Sequence, residues 1–420
     1  MSGPTCERLW FADSHQLAFD ARVTAAAVDP QGGHTLELDR SAFYATGGGQ
    51  PHDTGTLVAT HADGTTSRWR VCDVVAHEDG RIAHRVEPLA AAGALPPPGT
   101  PVTGAVDGAR RRDHLQQHTG QHLLSAALVR AAGVETKSFH LGAETATIDV
   151  DAALDDAALE RALELANGVV FDDRATVTHL VTPEELARFA IRRQTFTGAR
   201  IRLVEVPDFD VSTCGGTHAK RTGEVGLIVA LRVEKAKGLK RITFVCGGRA
   251  RRVFGEQQRA LTEVARELST APDQAAAAVR RLCEAEKAAR KRGEARFEAL
   301  LPAAAAELTA AARPAGAVRL VCSRRDDLTF DEAQALARAA TATAGLVVAL
   351  ALPEGDGAKL LLARSADVAL HAGDLVKKLA ARFQLRGGGA APQAQAALAD
   401  RAAIEPLFAA VATELASAPP

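Results

Sequence analysis

Two residues with metal-binding side chains stand four positions apart in a stretch with helical spacing. His118 and His122 lie within "QQHTGQHLLSAALVRAAG", in which apolar residues recur every three to four positions. This spacing places both imidazoles on one helix face, one turn apart. Such a pair can supply half of a tetrahedral zinc site, although ordinary helix histidines explain it equally well. The run His-Thr-Gly-Gln-His lacks the glutamate of the metalloprotease pattern, which the sequence therefore does not match.

A second pair of this kind follows about a hundred residues later. Cys214 and His218 lie in "STCGGTHAKRTGEVG" with Cys-x3-His spacing, and Gly215 and Gly216 allow the backbone to fold back on itself. The alternative is a core cysteine beside a surface histidine. Two half-sites with matching ligand types favour one divided zinc site made of His118, His122, Cys214 and His218.

The other five cysteines are scattered and form no CxxC pair. In a chain of 420 residues this pattern does not indicate a disulfide scaffold. We find no apolar run of transmembrane length and no signal peptide at the N-terminus, so we expect a cytoplasmic protein without a membrane partner.

Glycines are concentrated in the run "FYATGGGQPHDTGTL", residues 43–57. No Gly-Lys-Ser/Thr follows, so it is not a P-loop, and the dinucleotide fingerprint does not fit either. The residues alone favour a tight turn between strands over a ligand-binding loop.

Basic residues flank both half-sites, although the net charge of the whole chain is −1. Eight lysines and arginines fall between Arg232 and Gly255 with only Glu234 opposing them, and Arg110 to Arg112 precede the first histidine pair. Single charge runs are usually solvated faces. Two of them beside one proposed site favour local contacts with RNA.

The patterning predicts an α+β protein with four parts. Residues 1–98 alternate apolar and polar positions, with Asp63-Gly64 and Asp79-Gly80 as hairpin turns and Pro96 to Pro98 as a linker, which predicts a β-rich, barrel-like domain. Residues 99–248 mix helices and strands around the zinc ligands. The pattern of residues 249–313 predicts two long helices interrupted at Pro272. In residues 314–420 strand-like and helix-like patterns alternate, which predicts a compact α/β domain.

Several of these segments together resemble a known family. "QQHTGQHLLSAAL", "STCGGTHAKRTGEVG" and "KGLKRITFVCGGRA" resemble the editing domain of alanyl-tRNA synthetases and of free-standing AlaX-type editing proteins. The glycine-rich run resembles the signature of the β domain that precedes this editing domain. "LRGGGAAPQAQAAL", residues 385–398, resembles the tail of the C-terminal domain that alanyl-tRNA synthetases share with Asp-His-His phosphoesterases. Because the sequence starts at the β domain, the match is to the long free-standing form, and aminoacyl-tRNA synthesis is not expected.

The resemblance implies a trans-editing hydrolase that cleaves the ester of Ser-tRNA(Ala), with Gly-tRNA(Ala) as another substrate to consider. It implies one Zn²⁺ per chain and tRNA(Ala) carrying a wrong amino acid as the partner, and it does not assign the residue that moves protons. A homodimer through the helical linker and the C-terminal domain is a further expectation. Candidate pocket residues are Thr46, Gly48, Gln50, Ser138 and His140. Candidate tRNA contacts are Lys237, Lys240, Arg241, Gly387, Gly388 and Gly389.

Two alternative functions remain at this stage. The first is a tRNA-binding protein whose zinc is structural, since four protein ligands fill a tetrahedral site, whereas catalytic zinc usually keeps one position open. The second is a phosphoesterase. The sequence contains no Asp-His-His tripeptide, which argues against this function.

Overall fold

The computed structural model describes residues 5–29, 32–89, 94–194 and 199–417. The chain divides into two compact units, Met1–Glu263 and Val264–Pro420. No helix in the described ranges is both long and apolar enough to cross a membrane.

The first unit begins with a closed six-stranded β-barrel, which confirms the predicted barrel-like domain. Its order is β2-β3-β7-β6-β5-β8, and β1 and β4 form a separate parallel pair beside it. The strands are β1 (Glu7–Arg8), β2 (Ala18–Val28), β3 (His34–Leu38), β4 (Arg40–Ser41), β5 (Gly55–Thr60), β6 (Thr66–Ala76), β7 (Ile82–Pro88) and β8 (Pro101–Val106). Alternate side chains fill the barrel, among them Phe19, Leu36, Leu57, Trp69 and Ile82.

The ends of the barrel strands follow from turn chemistry. Gly64 and Gly80 have φ values of 82° and 88°, which only glycine adopts without strain, and they end the two predicted hairpin turns. β8 closes the barrel by pairing with β2 and β5. It comes after the domain boundary predicted at residue 98, so residues 101–106 complete the barrel rather than open the next domain.

The rest of the first unit packs two helices against a four-stranded antiparallel sheet, beside a three-stranded one. The sheet orders are β14-β15-β10-β9 and β11-β12-β13. The elements are α1 (Gly108–Ala132), β9 (Thr136–Leu141), β10 (Ala146–Asp151), α2 (Asp156–Phe171), β11 (Val177–Val181), β12 (Ile201–Val206), β13 (Asp210–Thr213), β14 (Ile228–Ala236) and β15 (Leu239–Cys246). Buried side chains of α1, α2, β10 and β15 form one core, which includes Leu124, Leu128, Ala162, Ile148 and Phe244.

Two long helices occupy the predicted helical segment. They are α3 (Gly247–Glu267) and α4 (Ala275–Ala310), and a single 3₁₀ turn at Pro272–Gln274 separates them as the proline predicts.

The second unit contains a six-stranded mixed sheet with three shorter helices. Its strand order is β16-β17-β18-β19-β21-β20, and only β17 and β18 run parallel. The elements are β16 (Arg313–Ala315), β17 (Val318–Arg324), α5 (Phe330–Ala340), β18 (Leu346–Glu354), β19 (Gly357–Arg364), α6 (Ala372–Phe383), β20 (Arg386–Gly389), β21 (Gln393–Leu398) and α7 (Ile404–Ala416).

Candidate metal centre and its cavity

The helix α1 carries the first two ligands. Its N-terminus is capped by the side chain of Asp107, and it ends at Gly133, whose φ of 64° fits the predicted C-cap. The middle of α1 is buried on all sides, so His118 and His122 lie in the interior of the unit, with ring centroids 5.3 Å apart.

The other two ligands lie in the loop that follows β13. The thiol sulfur Sγ of Cys214 lies 3.4 Å from Nε2 of His118 and 3.2 Å from Nε2 of His218. The loop can approach α1 this closely because residue 216 is glycine: a Cβ there would lie 2.2 Å from Cε1 of His118. One ligand atom from each of the four buried side chains fits within 4.8 Å of the others.

These separations fit a tetrahedral ion. Zinc–nitrogen and zinc–sulfur bonds of about 2.05 and 2.3 Å at tetrahedral angles put the nitrogen and the sulfur about 3.6 Å apart. Three imidazoles and one thiolate are also ligand types that zinc accepts. The group of His118, His122, Cys214 and His218 can therefore bind a metal ion.

Each imidazole is held from behind by a polar group. Nδ1 of His118 lies 2.7 Å from Oε1 of Gln50, and Nδ1 of His218 lies 3.2 Å from Oγ1 of Thr119. Nδ1 of His122 is 3.5 Å from a carboxylate oxygen of Asp210. When Nδ1 carries the proton, Nε2 is left with its lone pair toward the centre, which is the arrangement that metal sites use.

The electrostatics of the group favour the ligand forms of Cys214 and His218. Burial opposes the charged thiolate, but the rings of His118, His218 and His122 lower the pKa of Cys214 well below its ordinary value. Burial lowers the pKa of His218 to about 3, so this ring is neutral at physiological pH. Burial acts in the same direction on His122, but Cys214 and Asp210 outweigh it and raise the pKa to about 9. The thiolate of Cys214 and the carboxylate of Asp210 thus both favour positive charge at this position.

Gln50 shows how the barrel contributes to this centre. Only 1 % of the side chain is exposed. Its Oε1 also accepts from the backbone N–H of Thr217, at 3.2 Å, and its Nε2 donates to Oγ1 of Thr217, at 2.9 Å. The amide therefore connects the ring of His118 to the loop that carries Cys214.

Replacing Gln50 with alanine is expected to lower metal affinity by about 10- to 100-fold, because His118 would lose the group that fixes its orientation. The measurement is a zinc competition titration with a chromogenic chelator. Gln117→Ala is the matched control, because Gln117 is equally buried and its amide bonds only the backbone of Cys246, at 3.0 and 2.8 Å. Equal affinity losses in the two variants would contradict this role of Gln50.

The glycine-rich run forms the predicted tight turn. The N–H of Gly47 donates to the carbonyl of Gln50 and the N–H of Gln50 donates to that of Gly47. Gly49 has a φ of 83°, and a Cβ there would lie 2.5 Å from the carbonyl oxygen of Phe139 in β9. The carbonyl of Gly49 accepts the N–H of Leu141 at 2.8 Å, so the turn is fixed against β9 of the four-stranded sheet.

A buried ion pair fixes the same run to α1. Asp53 and Arg111 are 0 % and 1 % exposed, and Nε of Arg111 lies 3.1 Å from Oδ2 of Asp53. Arg111 also donates to the carbonyls of Ser14 and Ala42, both at 2.6 Å, and Asp53 accepts the N–H of Tyr44 at 2.8 Å. The guanidinium and the carboxylate of this pair thus both have hydrogen-bond partners, as burial requires.

A cavity of about 740 Å³ opens beside the four ligands. Its lining includes His118, His122 and Cys214. Three of the candidate pocket residues, Thr46, Gly48 and Ser138, also line it. Gln50 lies behind His118 instead, and His140 is exposed on β9 outside the lining.

The candidate tRNA-binding residues of the β14–β15 hairpin have different environments. Lys237 is exposed at the turn, with a φ of 48°. Lys240 donates to the carbonyl of Leu154. Arg241 forms a bidentate ion pair with Asp149, at 2.7 and 2.9 Å, and Asp149 also accepts from Ser138. Lys237 is therefore the one of the three whose side chain has no such contact in the described part of the chain.

The candidate glycines of the second unit lie in β20, at the edge of its sheet. A Cβ on Gly387 or Gly389 would lie 2.1 or 2.4 Å from backbone atoms of β21, so these two glycines allow close strand packing. Gly388 has open space at the position of its Cβ.

Asp210, Thr119 and Arg202 are parts of the site that were not among the predicted residues. Asp210 forms a bidentate ion pair with Arg192, at 2.6 and 3.0 Å. Burial raises the pKa of Asp210, but His122 and Arg192 outweigh it and lower the pKa to about 2. Arg202 is buried and donates to the carbonyls of Cys214 and Gly216, at 2.8 and 2.9 Å, which fixes the ligand loop. Two of them have a local signal in the sequence: Asp210 stands four residues before Cys214, and Thr119 stands between His118 and His122.

Comparison with known proteins finds relatives that are named for alanyl-tRNA editing and alanyl-tRNA synthesis. A family model described as the threonyl and alanyl tRNA synthetase second additional domain matches residues 201–243. The alanyl-tRNA editing protein AlaX-L of Pyrococcus horikoshii is 34% identical over 247 residues, which cover 58% of this chain and 59% of that protein. Over these residues this chain is similar to an alanyl-tRNA editing protein.

Alanine–tRNA ligases are homologous over more of the chain. The ligase of Pyrococcus abyssi is 30% identical over 406 residues, which cover 94% of this chain and 42% of the ligase. This chain therefore matches less than two thirds of the length of either relative. The crystal structure of the C-Ala domain from Aquifex aeolicus alanyl-tRNA synthetase matches 26% of this chain and 98% of that domain, at 20% identity and a TM-score of 0.24.

Proposed function

We propose that this protein is an aminoacyl-tRNA deacylase that removes serine from mischarged Ser-tRNA(Ala). Its homology to AlaX-L and the match to the additional domain of alanyl and threonyl tRNA synthetases support a role in alanyl-tRNA editing. Action on the released tRNA, rather than within a synthetase, is part of the proposal, as is a cytoplasmic location.

The observation that carries the proposal is the contact between the ligands and the cavity. A structural zinc site is closed by its four ligands. Here His118, His122 and Cys214 line a cavity of about 740 Å³, within the range typical of small-molecule sites, so a substrate group can reach the centre.

The residues present fit zinc, with His118, His122, Cys214 and His218 as its ligands. Bound zinc would supply Lewis-acid polarisation of the ester carbonyl or orientation of the substrate. Gln50 and Thr119 orient the imidazoles of His118 and His218 by hydrogen bonds, and the carboxylate of Asp210 lies 3.5 Å from Nδ1 of His122. An aminoacyl ester is already activated, so correct positioning contributes much of the rate.

Selection of serine over alanine requires a partner for the serine hydroxyl. Thr46 and Ser138 bring hydroxyl groups to the cavity. The Oγ of Ser138 donates to Asp149 at 2.8 Å, which leaves its lone pairs to accept from a substrate hydroxyl. A site built to bond that hydroxyl can reject alanine by roughly 10⁴-fold, because its polar groups would otherwise stay unpaired.

The number of protein ligands, four, favours a second candidate, a tRNA-binding protein with a structural zinc. One assay separates the candidates. The protein is incubated with Ser-tRNA(Ala), Gly-tRNA(Ala), Ala-tRNA(Ala) and an unacylated oligonucleotide. We expect release of serine, much slower release of alanine and an intact oligonucleotide; release of glycine would extend the substrate range. Binding of Ser-tRNA(Ala) without release of serine would support the structural role, and cleavage of the oligonucleotide would indicate a phosphoesterase.

A further inference from the structure

The cavity beside the metal centre has an unbalanced charge. Its lining contains five arginines and no aspartate or glutamate among the described residues. The arginines are Arg8, Arg192, Arg193, Arg200 and Arg202. Because a low-dielectric wall with one sign of charge concentrates ligands of the opposite sign, this cavity favours an anion.

Two of the five arginines are committed to the fold. Arg192 is neutralised by its bidentate ion pair with Asp210. Arg202 is buried and donates to the carbonyls that shape the ligand loop. These two are therefore not available as primary contacts for an anion.

The other three have no carboxylate partner in the part of the chain that the structure describes. Arg8 lies over the ring of Phe11, with its guanidinium carbon 5.5 Å from the ring centroid, and neither Arg8 nor Arg200 has a side-chain hydrogen bond or ion pair within residues 5–29, 32–89, 94–194 and 199–417. Arg193 donates to two neutral carbonyls, those of Thr136 and Lys137, at 2.6 and 3.0 Å. Three uncompensated guanidinium groups thus share one cavity with the metal ligands.

The aminoacyl end of the proposed substrate cannot be the anion that they serve. An esterified serine has no free carboxylate, and its ammonium group would be repelled by arginine. The phosphodiesters of the RNA are the anions that the same molecule brings, and guanidinium groups bind phosphate oxygens in a well-matched geometry.

We propose that Arg8, Arg193 and Arg200 bind the phosphodiesters of the 3′-terminal nucleotides of the substrate RNA. This inference rests on the proposed function, which places the acyl ester at the metal centre. On this proposal the main RNA contacts of the first unit are made by the cavity arginines and not by the β14–β15 hairpin. These contacts hold the 3′ end of the RNA while the ester is cleaved.

The test uses two serine esters that differ in their phosphates. One is Ser-tRNA(Ala), and the other is serine esterified to the 3′ hydroxyl of adenosine, which has no phosphate. The double variant Arg8→Ala/Arg200→Ala is expected to lower kcat/KM for Ser-tRNA(Ala) by at least about tenfold. It should leave kcat/KM for seryl-adenosine unchanged. The dependence of log(kcat/KM) on log[salt] should become shallower by about 0.7 for each arginine removed.

Arg188→Ala is the control, because Arg188 is exposed, lies outside the cavity lining and should affect neither substrate. An equal loss on both esters, or no loss on Ser-tRNA(Ala), would overturn the proposal. If the wild-type protein cleaves neither ester, the proposed function itself fails. The affinity of the full-length protein for the trinucleotide CCA then tests whether these arginines bind phosphates. A higher Kd in the double variant than in the wild-type protein supports the contacts, and an equal Kd overturns them.

Discussion

Replacing Cys214 with alanine is expected to lower the rate of serine release from Ser-tRNA(Ala) by at least about 100-fold. The variant removes the sulfur that lies 3.4 and 3.2 Å from the imidazole nitrogens of His118 and His218. Three imidazoles without the thiolate form a weaker metal site. Loss of a group that hydrogen-bonds a ligand typically lowers metal affinity or activity by about 10- to 100-fold, and loss of a ligand itself should lower them further. Single-turnover deacylation and zinc content per chain are the measurements.

Cobalt gives this experiment a readout that does not depend on activity. Cobalt-loaded wild-type protein should show a thiolate-to-metal absorption band, and the Cys214→Ala variant should not. Cys283→Ala is the control, because Cys283 is an exposed free cysteine in α4 and should change neither activity nor spectrum. Full activity in a Cys214→Ala protein that holds no metal would disprove the catalytic role of the centre.

Replacing Asp53 with alanine is expected to destabilise the first unit by about 3–5 kcal/mol, the cost of leaving the buried cation of Arg111 without its partner. The same change frees the glycine-rich run from α1, which carries His118 and His122. Urea unfolding followed by tryptophan fluorescence is suited to this measurement. The chain has two tryptophans, Trp10 and Trp69, and both lie in the first unit.

The control for Asp53 is an ion pair on the outer surface of the same barrel. Arg70 and Glu87 pair with both side chains more than half exposed, so Glu87→Ala should leave the urea midpoint close to that of the wild-type protein. The interpretation would be wrong if Asp53→Ala and Glu87→Ala unfolded at the same urea concentration.

Much of the fold could be predicted because strands and turns depend on residues that are close together in the sequence. Alternation of apolar and polar residues in β3 and β6, together with glycine at Gly64 and Gly80, indicated a barrel-like domain, and the structure confirms a closed barrel. The closing strand β8 was not predicted as part of it. Its pairing with β2 and β5 joins residues more than forty positions apart, and nothing within residues 101–106 specifies those partners.

The candidate ligands followed from spacing, whereas the groups behind them did not. His118 with His122 and Cys214 with His218 are short-range pairs, and the structure brings the two pairs together. Gln50 reaches His118 only because the barrel docks on α1, across 68 positions of sequence. The sequence therefore could not show this contact. We predicted Gln50 as a pocket residue, whereas its side chain contacts Nδ1 of His118.

A count of basic residues does not show which of them are paired with carboxylates. The run after Arg232 contains Arg241 and Arg249, and the structure pairs these with Asp149 and Asp113. Arg8 and Arg200, which lack such partners among the described residues, stand far apart in the sequence and both line the folded cavity. Charge compensation depends on tertiary contacts, so a run of like charges does not show which members remain free.

Reversible removal of the metal tests the central claim most directly. Serine release from Ser-tRNA(Ala) is measured with zinc-loaded protein, after chelation, and after one equivalent of zinc per chain is returned. The proposed function predicts that activity is lost on chelation and regained with one equivalent of zinc. Serine release that is absent at every stage, or that continues unchanged after complete removal of the metal, would contradict a deacylase centred on His118, His122, Cys214 and His218.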